Sequence, residues 1–499
     1  MNPMDDLKKT MSERGICVVI PTYNNGGTIA AVVEATLEQC DDVIVVNDGS
    51  TDATGAVLRA MTGITLVDYA RNRGKGYALK RGFAKALEMG FAYAVTLDAD
   101  GQHYPKEIAR LVEANIAHPG ALIVGSRDLA GIDASGGSLF ANRFSNFWFA
   151  VQTLHPLPDT QTGFRLYPIR KLCGLSLLTS RYEAELELLV FSSWHGVRLV
   201  PVPVDVYYPP REERVSHFRP AADFARISVL NTVLCFLALL YGLPLAIART
   251  LFKYLRTAYA FVLFFVASFL VVTPCVWIYK HIGGLTEKKR CRLRRLIHRT
   301  AHFVMIGHGI PGVRFTWDKN PQASLDRPHV IICNHQSHID LMCLLAFSPN
   351  IIFLTNDWVW NNIFFGLLIR SAEYLPISEG LDTLLPKLRE LTGKGYSIAV
   401  FPEGTRSADC RIRRFHQGAF CLADRLGLDV LPACLYGPGK VLPKKTYVFQ
   451  RGRIHLRFGA PVKLEALRQA GDYRAQASRM RQFYIDMYRH LANLIEQDA

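Results

Sequence analysis

The chain has no CxxC pair and no metal-ligand spacing among its eleven cysteines, which are scattered through 499 residues. This absence argues against a zinc-ribbon fold and a disulfide framework, and it indicates free thiols in a reducing compartment. The N-terminal stretch MNPMDDLKKTMSER is polar and lacks the apolar core of a secretory signal peptide. No internal repeat or low-complexity tract is present, so the sequence predicts two or three ordinary globular domains.

Acidic residues are too few to balance the basic ones. The 43 Asp and Glu against 58 Lys and Arg leave a formal net charge of +15. Such an excess is compatible with a nucleic-acid partner. The basic residues, however, cluster beside the apolar segment described next, and this favours an anionic membrane surface and no nucleic acid.

Charge is absent altogether from two apolar runs, Ile227 to Ala248 and Ala258 to Tyr279. Each run is slightly longer than the roughly 20 residues that a helix needs to cross a bilayer. A short basic connector, RTLFKYLRT, joins them. We therefore expect a two-helix membrane hairpin. A monotopic hairpin that enters one leaflet is the alternative, because Pro244 and Pro274 can kink either helix.

The hairpin divides the chain into a domain at 1–220, a membrane segment with an amphipathic lead-in at 221–284, and a domain at 285–499. Two crossings place both domains on one side. The basic flanks predict the cytoplasmic face of the cytoplasmic (inner) membrane, although the connector carries Arg249, Lys253 and Arg256. The flanking cations are Arg211, Arg214, Arg219 and Arg226 before the hairpin, and Lys280, Lys288, Lys289, Arg290, Arg292, Arg294, Arg295 and Arg299 after it.

The N-terminal half alternates short apolar runs with helical patterns. ICVVI, VIVVN, ITLVDY, AYAVTL and ALIVG read as strands, and their continuous apolar character predicts a parallel sheet covered on both faces. Polar clusters follow these strands: PTYNN, NDGSTD, RNRGKG and DADGQ. Because ligands of such sheets bind at the carboxyl ends of the strands, we expect one site built from these clusters.

Among these clusters, DADGQ gives the clearest indication of a chemical function. Asp98, Asp100 and Gln102 alternate in an extended segment, so their side chains point the same way. Three oxygen-bearing side chains suit a hard cation, Mg²⁺ or Mn²⁺, shared with phosphates. A solvated acidic turn is the alternative, and the position directly after a buried strand favours the metal.

The motifs VIPTYNN, VIVVNDGSTDAT, RNRGKGYALKRGF, VTLDADGQHYP, GSRD and DTQTGFRLYP occur in this order. Together they resemble a family 2 glycosyltransferase with a GT-A (Rossmann-like) fold, of the dolichyl- and polyprenyl-phosphate branch. The resemblance implies a nucleotide-sugar donor and a lipid acceptor. It implies that the donor is bound by Pro21, Tyr23, Asp48, Asp100 and Arg127, that the metal is held by Asp98, Asp100 and Gln102, and that Arg165 binds the acceptor phosphate.

Two positions, Asn25 and Asn47, depart from that branch and leave the base and the sugar open. A phosphate nucleophile is already ionised, so it needs no strong general base. Other candidates for a base are Asp159 and the acidic residues of YEAELELL. Within that run we expect Glu185 and Glu187 to lie on an exposed helix face rather than to act as bases.

The C-terminal half also alternates strands with helices. HVIIC, YSIAVF and DVLPACLYG read as strands, YVFQRGRIHLRFG as a hairpin turning at Arg451–Gly452, and the residues from about Leu464 as one long amphipathic helix. In NHQSHID, His335 precedes Asp340 by five residues. A helix that starts between them brings a carboxylate to the imidazole, which could then act as a general base. A capped helix start is the alternative, and His338 is expected on the helix surface.

FPEGTRS adds a tight turn, a hydroxyl and a guanidinium suited to an anion. NHQSHID, FPEGTRS and VLPACLYG resemble the glycerolipid acyltransferases of the lysophosphatidic-acid type. The resemblance implies His335 as base, Asp340 as its orienting partner, no cofactor, and an acceptor site at Glu403, Gly404, Thr405 and Arg406. Ser378, Glu379 and His416 stand where that family often has cations. We therefore expect a glycosylated or otherwise unusual lipid alcohol as acceptor.

The sequence thus predicts a bifunctional membrane enzyme of lipid or glycolipid biosynthesis. One domain would transfer a sugar to a lipid or lipid phosphate, and the other an acyl group from acyl carrier protein or coenzyme A to a lipid hydroxyl. The alternatives are one active domain with a degenerate partner, an enzyme of a specialised polyene or pigment lipid pathway, and a non-catalytic membrane scaffold. The intact DAD, NHxxxxD and FPEGTR motifs argue against the scaffold.

Overall fold

A computed structural model describes residues 3–128, 136–207, 220–362, 366–469 and 471–497. The chain forms two compact units, residues 1–249 and 250–499, and each contains one seven-stranded sheet. The prediction of an α/β protein with a parallel-sheet domain and a second α/β domain is confirmed, and the sheet of the second domain is also largely parallel. The three-part division with boundaries at 220 and 284 stays a prediction. The predicted flanking residues Arg211, Arg214 and Arg219 and the first part of the amphipathic lead-in lie outside the described residues.

The sheet of the first unit has the strand order β3-β2-β1-β4-β6-β5-β7, and β6 alone runs antiparallel to its neighbours. Alternate residues of β1 and β2 enter two different core clusters, so both faces of the sheet are buried as predicted. The strands are β1 (Ile16–Thr22), β2 (Val43–Asn47), β3 (Ile64–Asp68), β4 (Tyr93–Thr96), β5 (Leu122–Arg127), β6 (Arg165–Tyr167) and β7 (Leu199–Val204).

Helices cover this sheet and connect its strands. The parallel strands β1 to β4 are joined by crossover helices, as strand–helix alternation requires. The helices are α1 (Pro3–Arg14), α2 (Ile29–Gln39), α3 (Thr54–Ala60), α4 (Lys75–Glu88), α5 (Ile108–Ala117), α6 (Gly136–Thr153), α7 (Ile169–Leu172) and α8 (Glu183–Trp194).

The two apolar runs form one continuous helical stretch. It consists of α9 (Pro220–Leu237), α10 (Leu243–Phe265) and α11 (Thr273–His281), joined by π-helical turns at Ala238–Gly242 and Val266–Val272. Within it, Ala225–His281 is the one described helix long and apolar enough to cross a membrane, with a mean hydropathy of 2.5 in its most apolar window. The predicted connector lies inside α10, so the two-helix hairpin is not confirmed.

The sheet of the second unit has the order β11-β10-β12-β9-β13-β14-β8, with β14 antiparallel to β13. The hairpin predicted at Arg451–Gly452 is wrong: β14 begins at Gly452 and pairs with β13 and β8, and the residues before it form no strand. The strands are β8 (Val313–Lys319), β9 (Val330–Cys333), β10 (Ile351–Thr355), β11 (Leu375–Pro376), β12 (Ser397–Val400), β13 (Val430–Tyr436) and β14 (Gly452–Phe458).

The long C-terminal helix is interrupted once, because Gly471 has a φ of +103° that ends regular helical geometry. The second unit's helices are α12 (Glu287–His302), α13 (Asp340–Leu345), α14 (Asp357–Trp360), α15 (Gly366–Ser371), α16 (Leu381–Gly393), α17 (Gly418–Leu426), α18 (Pro438–Val441), α19 (Leu464–Gln469) and α20 (Tyr473–Gln497).

Candidate active sites

The polar clusters after β1, β2 and β3 are joined by hydrogen bonds at one edge of the first sheet. Asp48, directly after β2, is buried, and its two carboxylate oxygens accept the backbone N–H groups of Arg73 and Gly74 at 2.8 Å each. This contact fixes the RNRGKG loop. Of the other predicted nucleotide ligands, Pro21 is buried in β1 and Tyr23 is partly buried just beyond its end.

A lysine that the sequence reasoning missed lies at the centre of this edge. Lys75, the first residue of α4, contacts Asp98 at 2.8 Å and Glu185 at 2.9 Å. Burial alone would lower the pKa of Lys75, but the charges of Asp98 and Glu185 raise it, so the amine stays protonated. Burial would likewise raise the pKa of Asp98, and the Lys75 charge lowers it. The DxD motif therefore belongs to a buried charge network.

Gly163 of the TGFR segment leaves space for the side chains of Asp98 and Lys75. A Cβ at position 163 would lie 2.5 Å from Asp98 Oδ2 and 2.8 Å from Lys75 Nζ, closer than real contacts allow. The carbonyl of Gly163 also accepts a hydrogen bond from Thr96 Oγ1 at 2.6 Å. The glycine therefore lets the TGFR backbone lie directly against the ion pair.

Of the carboxyl groups in this site, that of Asp100 is the best suited to bind a metal ion. Burial and the neighbouring charge of Asp98 raise the pKa of Asp100 to about 6. A divalent cation would relieve this repulsion and favour the ionised form. Asp100 Oδ1 accepts the backbone N–H of Gln102 at 3.0 Å, so the three predicted ligands share one turn. The described residues contain no cluster of three His, Cys, Asp or Glu side chains that could hold a metal, so other ligands would complete its coordination.

The two predicted phosphate-binding arginines are both held by protein groups. Arg127 pairs with Asp159 through Nε at 2.6 Å and a terminal nitrogen at 3.0 Å. Burial would raise the pKa of Asp159, but the hydrogen bonds and charge of Arg127 lower it. Arg165 has no exposed surface and donates to Tyr167 Oη and to the carbonyls of Glu185 and Thr160, which leaves its Nε without a partner. Phosphate contact by these two residues stays a prediction.

The exposed-face interpretation of the YEAELELL helix is wrong. Glu185 and Glu187 are buried, because nearly every residue of α8, on all sides of the helix, is packed within the unit. Glu187 accepts the backbone N–H and hydroxyl of Thr179 at 3.0 and 2.6 Å. Glu185 keeps one oxygen without a partner after pairing with Lys75. Next to the turn that holds Asp98, Asp100 and Gln102, His103 stacks on Phe164, and burial lowers the pKa of His103 to about 4, so its ring is neutral.

In the second unit, the structure brings His335 and Asp340 together as predicted. His335 Nδ1 donates to Asp340 Oδ2 at 2.8 Å, and the same oxygen accepts the backbone N–H groups of Gln336 and Ser337. Asp340 is fully buried at the start of α13, whereas the His335 side chain is 23% exposed. With its proton on Nδ1, the imidazole presents Nε2 as an acceptor, and no described residue hydrogen bonds that atom. His338 is exposed, but it lies in the turn before α13 and not on the helix surface as predicted.

Glu403 of FPEGTRS holds the backbone of His335 in place. Its carboxylate is buried and accepts the backbone N–H of His335 at 2.9 Å and that of Arg413 at 3.1 Å. Burial raises the pKa of Glu403. Gly404 follows with a φ of +65°, a conformation that favours glycine, and so turns the chain sharply. Because both carboxylate oxygens bond to backbone, Glu403 positions the site, and direct acceptor binding by it stays a prediction.

The cations of this site come from two segments. Arg406 is partly buried, and none of the described residues accepts a hydrogen bond from its guanidinium. Lys444, which sequence reasoning missed, donates to Thr405 Oγ1 at 3.2 Å and to the Arg406 carbonyl at 2.8 Å. Ser378 is hydrogen bonded to Asp357, and Glu379 is exposed. Lys444 thus places a second cation beside Arg406.

Comparison with known proteins assigns the two halves separately. Residues 17–170 match the family model described as glycosyl transferase family 2, and residues 313–436 match the model described as acyltransferase. The first range contains Lys75, Asp98 and Asp100, and the second contains His335, Asp340 and Arg406, whereas Glu185 and Lys444 lie beyond the matched ranges. Each match covers less than a third of the chain.

Two sequence relatives match different halves of the chain. The chain is 31% identical over 145 residues to the chloroplastic 1-acyl-sn-glycerol-3-phosphate acyltransferase of Arabidopsis thaliana, covering 28% of this chain and 40% of that relative. It is 28% identical over 221 residues to the UDP-N-acetylglucosamine–dolichyl-phosphate N-acetylglucosaminyltransferase of Methanococcus voltae, covering 40% of this chain and 88% of that protein. Among solved structures, the 1-acyl-sn-glycerophosphate acyltransferase of Thermotoga maritima has a TM-score of 0.40 at 20% identity, covering 48% of this chain and 98% of that one.

Proposed function

We propose that this chain, which carries a glycosyl transferase family 2 domain at residues 17–170 and an acyltransferase domain at residues 313–436, is a bifunctional membrane enzyme of glycolipid synthesis. Its first domain transfers a sugar from a nucleotide sugar to a lipid or lipid phosphate. Its second transfers a fatty acyl group from a thioester to a lipid hydroxyl. The observation that carries the proposal is the presence in one chain of two complete polar constellations: the Asp98–Lys75–Glu185 network with Asp100, and the His335–Asp340 pair.

The first constellation suits the departure of a nucleoside diphosphate. When bound at Asp98, Asp100 and Gln102, Mg²⁺ or Mn²⁺ supplies positive charge that stabilises the leaving diphosphate. Lys75 holds the Asp98 carboxylate in place, and Gly163 keeps the TGFR backbone against it. The resemblance to a dolichyl-phosphate transferase supports a polyprenyl-type phosphate or other lipid acceptor. Arg127 and Arg165 are the proposed phosphate contacts.

The second constellation suits attack by a neutral hydroxyl on a thioester. His335 Nε2 removes the hydroxyl proton as the oxygen bonds to the thioester carbon, and Asp340 holds the ring and stabilises the imidazolium. The thiolate leaves and takes up a proton. Arg406, with Lys444 and Thr405, is the proposed site for an anionic or polar group of the acceptor. No metal is required for these steps.

We place the enzyme on the cytoplasmic face of the inner membrane, with residues 221–284 as the membrane segment. Large apolar side chains of the long helix are exposed, among them Leu240 at 78% and Leu270 at 71%. The following helix α12 presents an exposed basic stripe at the spacing of one helix face, with a buried apolar face opposite. The stripe consists of Lys288, Arg292, Arg295 and Arg299. Such a stripe beside an apolar helix supports contact with anionic lipid headgroups.

A reconstitution assay tests the proposed function directly. We expect purified enzyme in lipid nanodiscs, given a panel of nucleotide sugars, Mg²⁺ and a total lipid extract, to form a lipid whose mass increases by one sugar. With acyl-CoA or acyl carrier protein thioesters, we expect a product heavier by one acyl chain. Product mass spectrometry identifies both acceptors. If sugar transfer is absent, we would conclude that the chain is an acyltransferase with a degenerate glycosyltransferase domain. If both activities are absent, we would conclude that the chain is a non-catalytic membrane scaffold.

Reporter fusions test the membrane arrangement. We expect reporters placed after Pro220 and after Leu285 to signal the same, cytoplasmic compartment, because two crossings, or none, leave both domains on one side and the basic flanks favour the cytoplasm. A reporter at Lys253 distinguishes the two forms of the proposal: a periplasmic signal shows a spanning hairpin, and a cytoplasmic signal a monotopic segment. Opposite signals from the first two sites would show a single crossing by the continuous helix and would refute this arrangement.

A further inference from the structure

A concave basic site lies in the second unit, apart from the His335 pair and from Arg406 and Lys444. Its volume is about 610 Å³, in the range of small-molecule sites. It is lined by Arg414, Phe415, His416, Gln417, Arg474, Ala477, Ser478 and Arg481. None of the residues that line it is acidic.

One wall of this site is a face of helix α20. Arg474, Ala477, Ser478 and Arg481 follow the i, i+3, i+4, i+7 spacing of a single helix face. Arg481 donates to the backbone carbonyls of Arg413 and Ile412, which joins the helix to the opposite wall. Within the described residues, neither Arg474 nor Arg414 has an ion pair or a hydrogen bond from its side chain. Cations gathered without carboxylates repel one another, so the site favours a bound anion.

The opposite wall is attached to the catalytic loop. The Glu403 carboxylate bonds to the N–H of His335 and to that of Arg413, the residue before Arg414. The N–H of His416 donates to the Pro402 carbonyl at 2.8 Å, and the His416 ring lies about 3.5 Å from where a Cβ on Gly404 would be. A ligand held on this wall is thus held by the segment that positions the general base.

We infer that this basic site binds the phosphate groups of the acyl donor, a phosphopantetheine thioester; the inference rests on the proposed acyl transfer. The acceptor already has Arg406 and Lys444, neither of which lines the site, so a second set of cations fits the other substrate. The donor's phosphates lie at the far end of a long flexible arm from its thioester. A basic site outside the catalytic pair, but fixed to the same loop, suits that separation. Coenzyme A and acyl carrier protein both carry this phosphopantetheine arm.

Binding and turnover together test the inference. We expect the double variant Arg414→Gln/Arg474→Gln to raise the KM for the acyl donor at least tenfold, with kcat and the acceptor KM within twofold of wild type. Calorimetry should show at least tenfold weaker binding of coenzyme A or of holo-acyl carrier protein, whichever the wild type binds. Arg479→Gln is the matched control, because this exposed arginine lies on the same helix and does not line the site. It should change neither quantity.

The two donors and the two readouts distinguish the outcomes. An effect with coenzyme A alone identifies a free nucleotide thioester as donor, and an effect with acyl carrier protein alone identifies the protein-bound arm; both support the inference. Donor binding that is unchanged in the double variant, or a raised acceptor KM with an unchanged donor KM, overturns it. If the wild type shows no turnover but its donor binding is lost in the double variant, the proposed acyl transfer fails and the binding site stands.

Discussion

Replacement of His335 by alanine is expected to lower acyl transfer by roughly 10²–10⁴-fold, the usual contribution of a general base. A neutral hydroxyl attacks a thioester poorly unless its proton is removed as the bond forms. His335 is the described histidine whose Nδ1 is held by a buried carboxylate while its side chain remains partly exposed. Rates with saturating donor and acceptor, measured beside sugar transfer by the same preparation, give the effect.

Two further variants separate the chemistry from the fold. Asp340→Asn is expected to lose less acyl transfer than His335→Ala, because the imidazole remains but loses the charge that fixes its tautomer. His338→Ala is the matched control, since this exposed histidine of the same motif stacks only loosely on Tyr447, at 6.2 Å between ring centroids. It should keep nearly full activity. Near-normal acylation by folded His335→Ala would show that this half does not work through its histidine.

Replacement of Asp100 by asparagine is expected to lower sugar transfer by about 10²–10³-fold, comparable to the loss of one preorganised electrostatic contact at developing charge. The amide keeps the volume of the side chain and removes the charge that a metal ion needs. The measurement is the rate of sugar transfer at saturating Mg²⁺ or Mn²⁺, with acyl transfer as the internal control. Excess chelator should abolish sugar transfer by the wild type.

The same variant has a predictable effect on stability. Because the pKa of Asp100 is raised to about 6, ionisation at neutral pH costs the folded state free energy. Asp100→Asn should therefore not lower the Tm at pH 7.5, and any gain should shrink progressively as the pH falls from about 6 to the ordinary carboxyl value of 3.8, below which the folded and unfolded states are both protonated. Asp41→Ala, at an exposed ion pair with Lys8, is the control. Full sugar transfer by Asp100→Asn, or undiminished sugar transfer in excess chelator, would show that Asp100 does not bind a metal ion needed for sugar transfer.

The sequence predicted the features that depend on neighbouring residues. Strands such as Ile16–Thr22 and Val330–Cys333 read as apolar runs, and the polar residues after them mark the strand ends where both sites lie. The His335–Asp340 contact also followed from local geometry, because five residues and a helix start suffice to bring the two side chains together. Local pattern therefore predicted the contact between His335 and Asp340.

Features that depend on distant residues were missed. Lys75 in a glycine-rich loop resembles an exposed lysine, and its burial follows only from carboxylates supplied by β4's end and α8. The acidic run of α8 resembles a solvated face, yet its glutamates are buried inside the unit, where Glu185 pairs with Lys75 and Glu187 accepts hydrogen bonds from Thr179. Lys444 and the arginines of α20 join their sites from segments far from the motifs, a placement that no local spacing reveals.

A crossed assay of two variants tests whether one chain carries two independent active sites. Both activities are measured in purified, folded His335→Ala and Asp100→Asn under identical conditions. Under this proposal we expect complementary losses: His335→Ala loses acyl transfer and keeps sugar transfer, and Asp100→Asn loses sugar transfer and keeps acyl transfer. Retention of both activities by either variant, or loss of both by one of them while its Tm is unchanged, would contradict it.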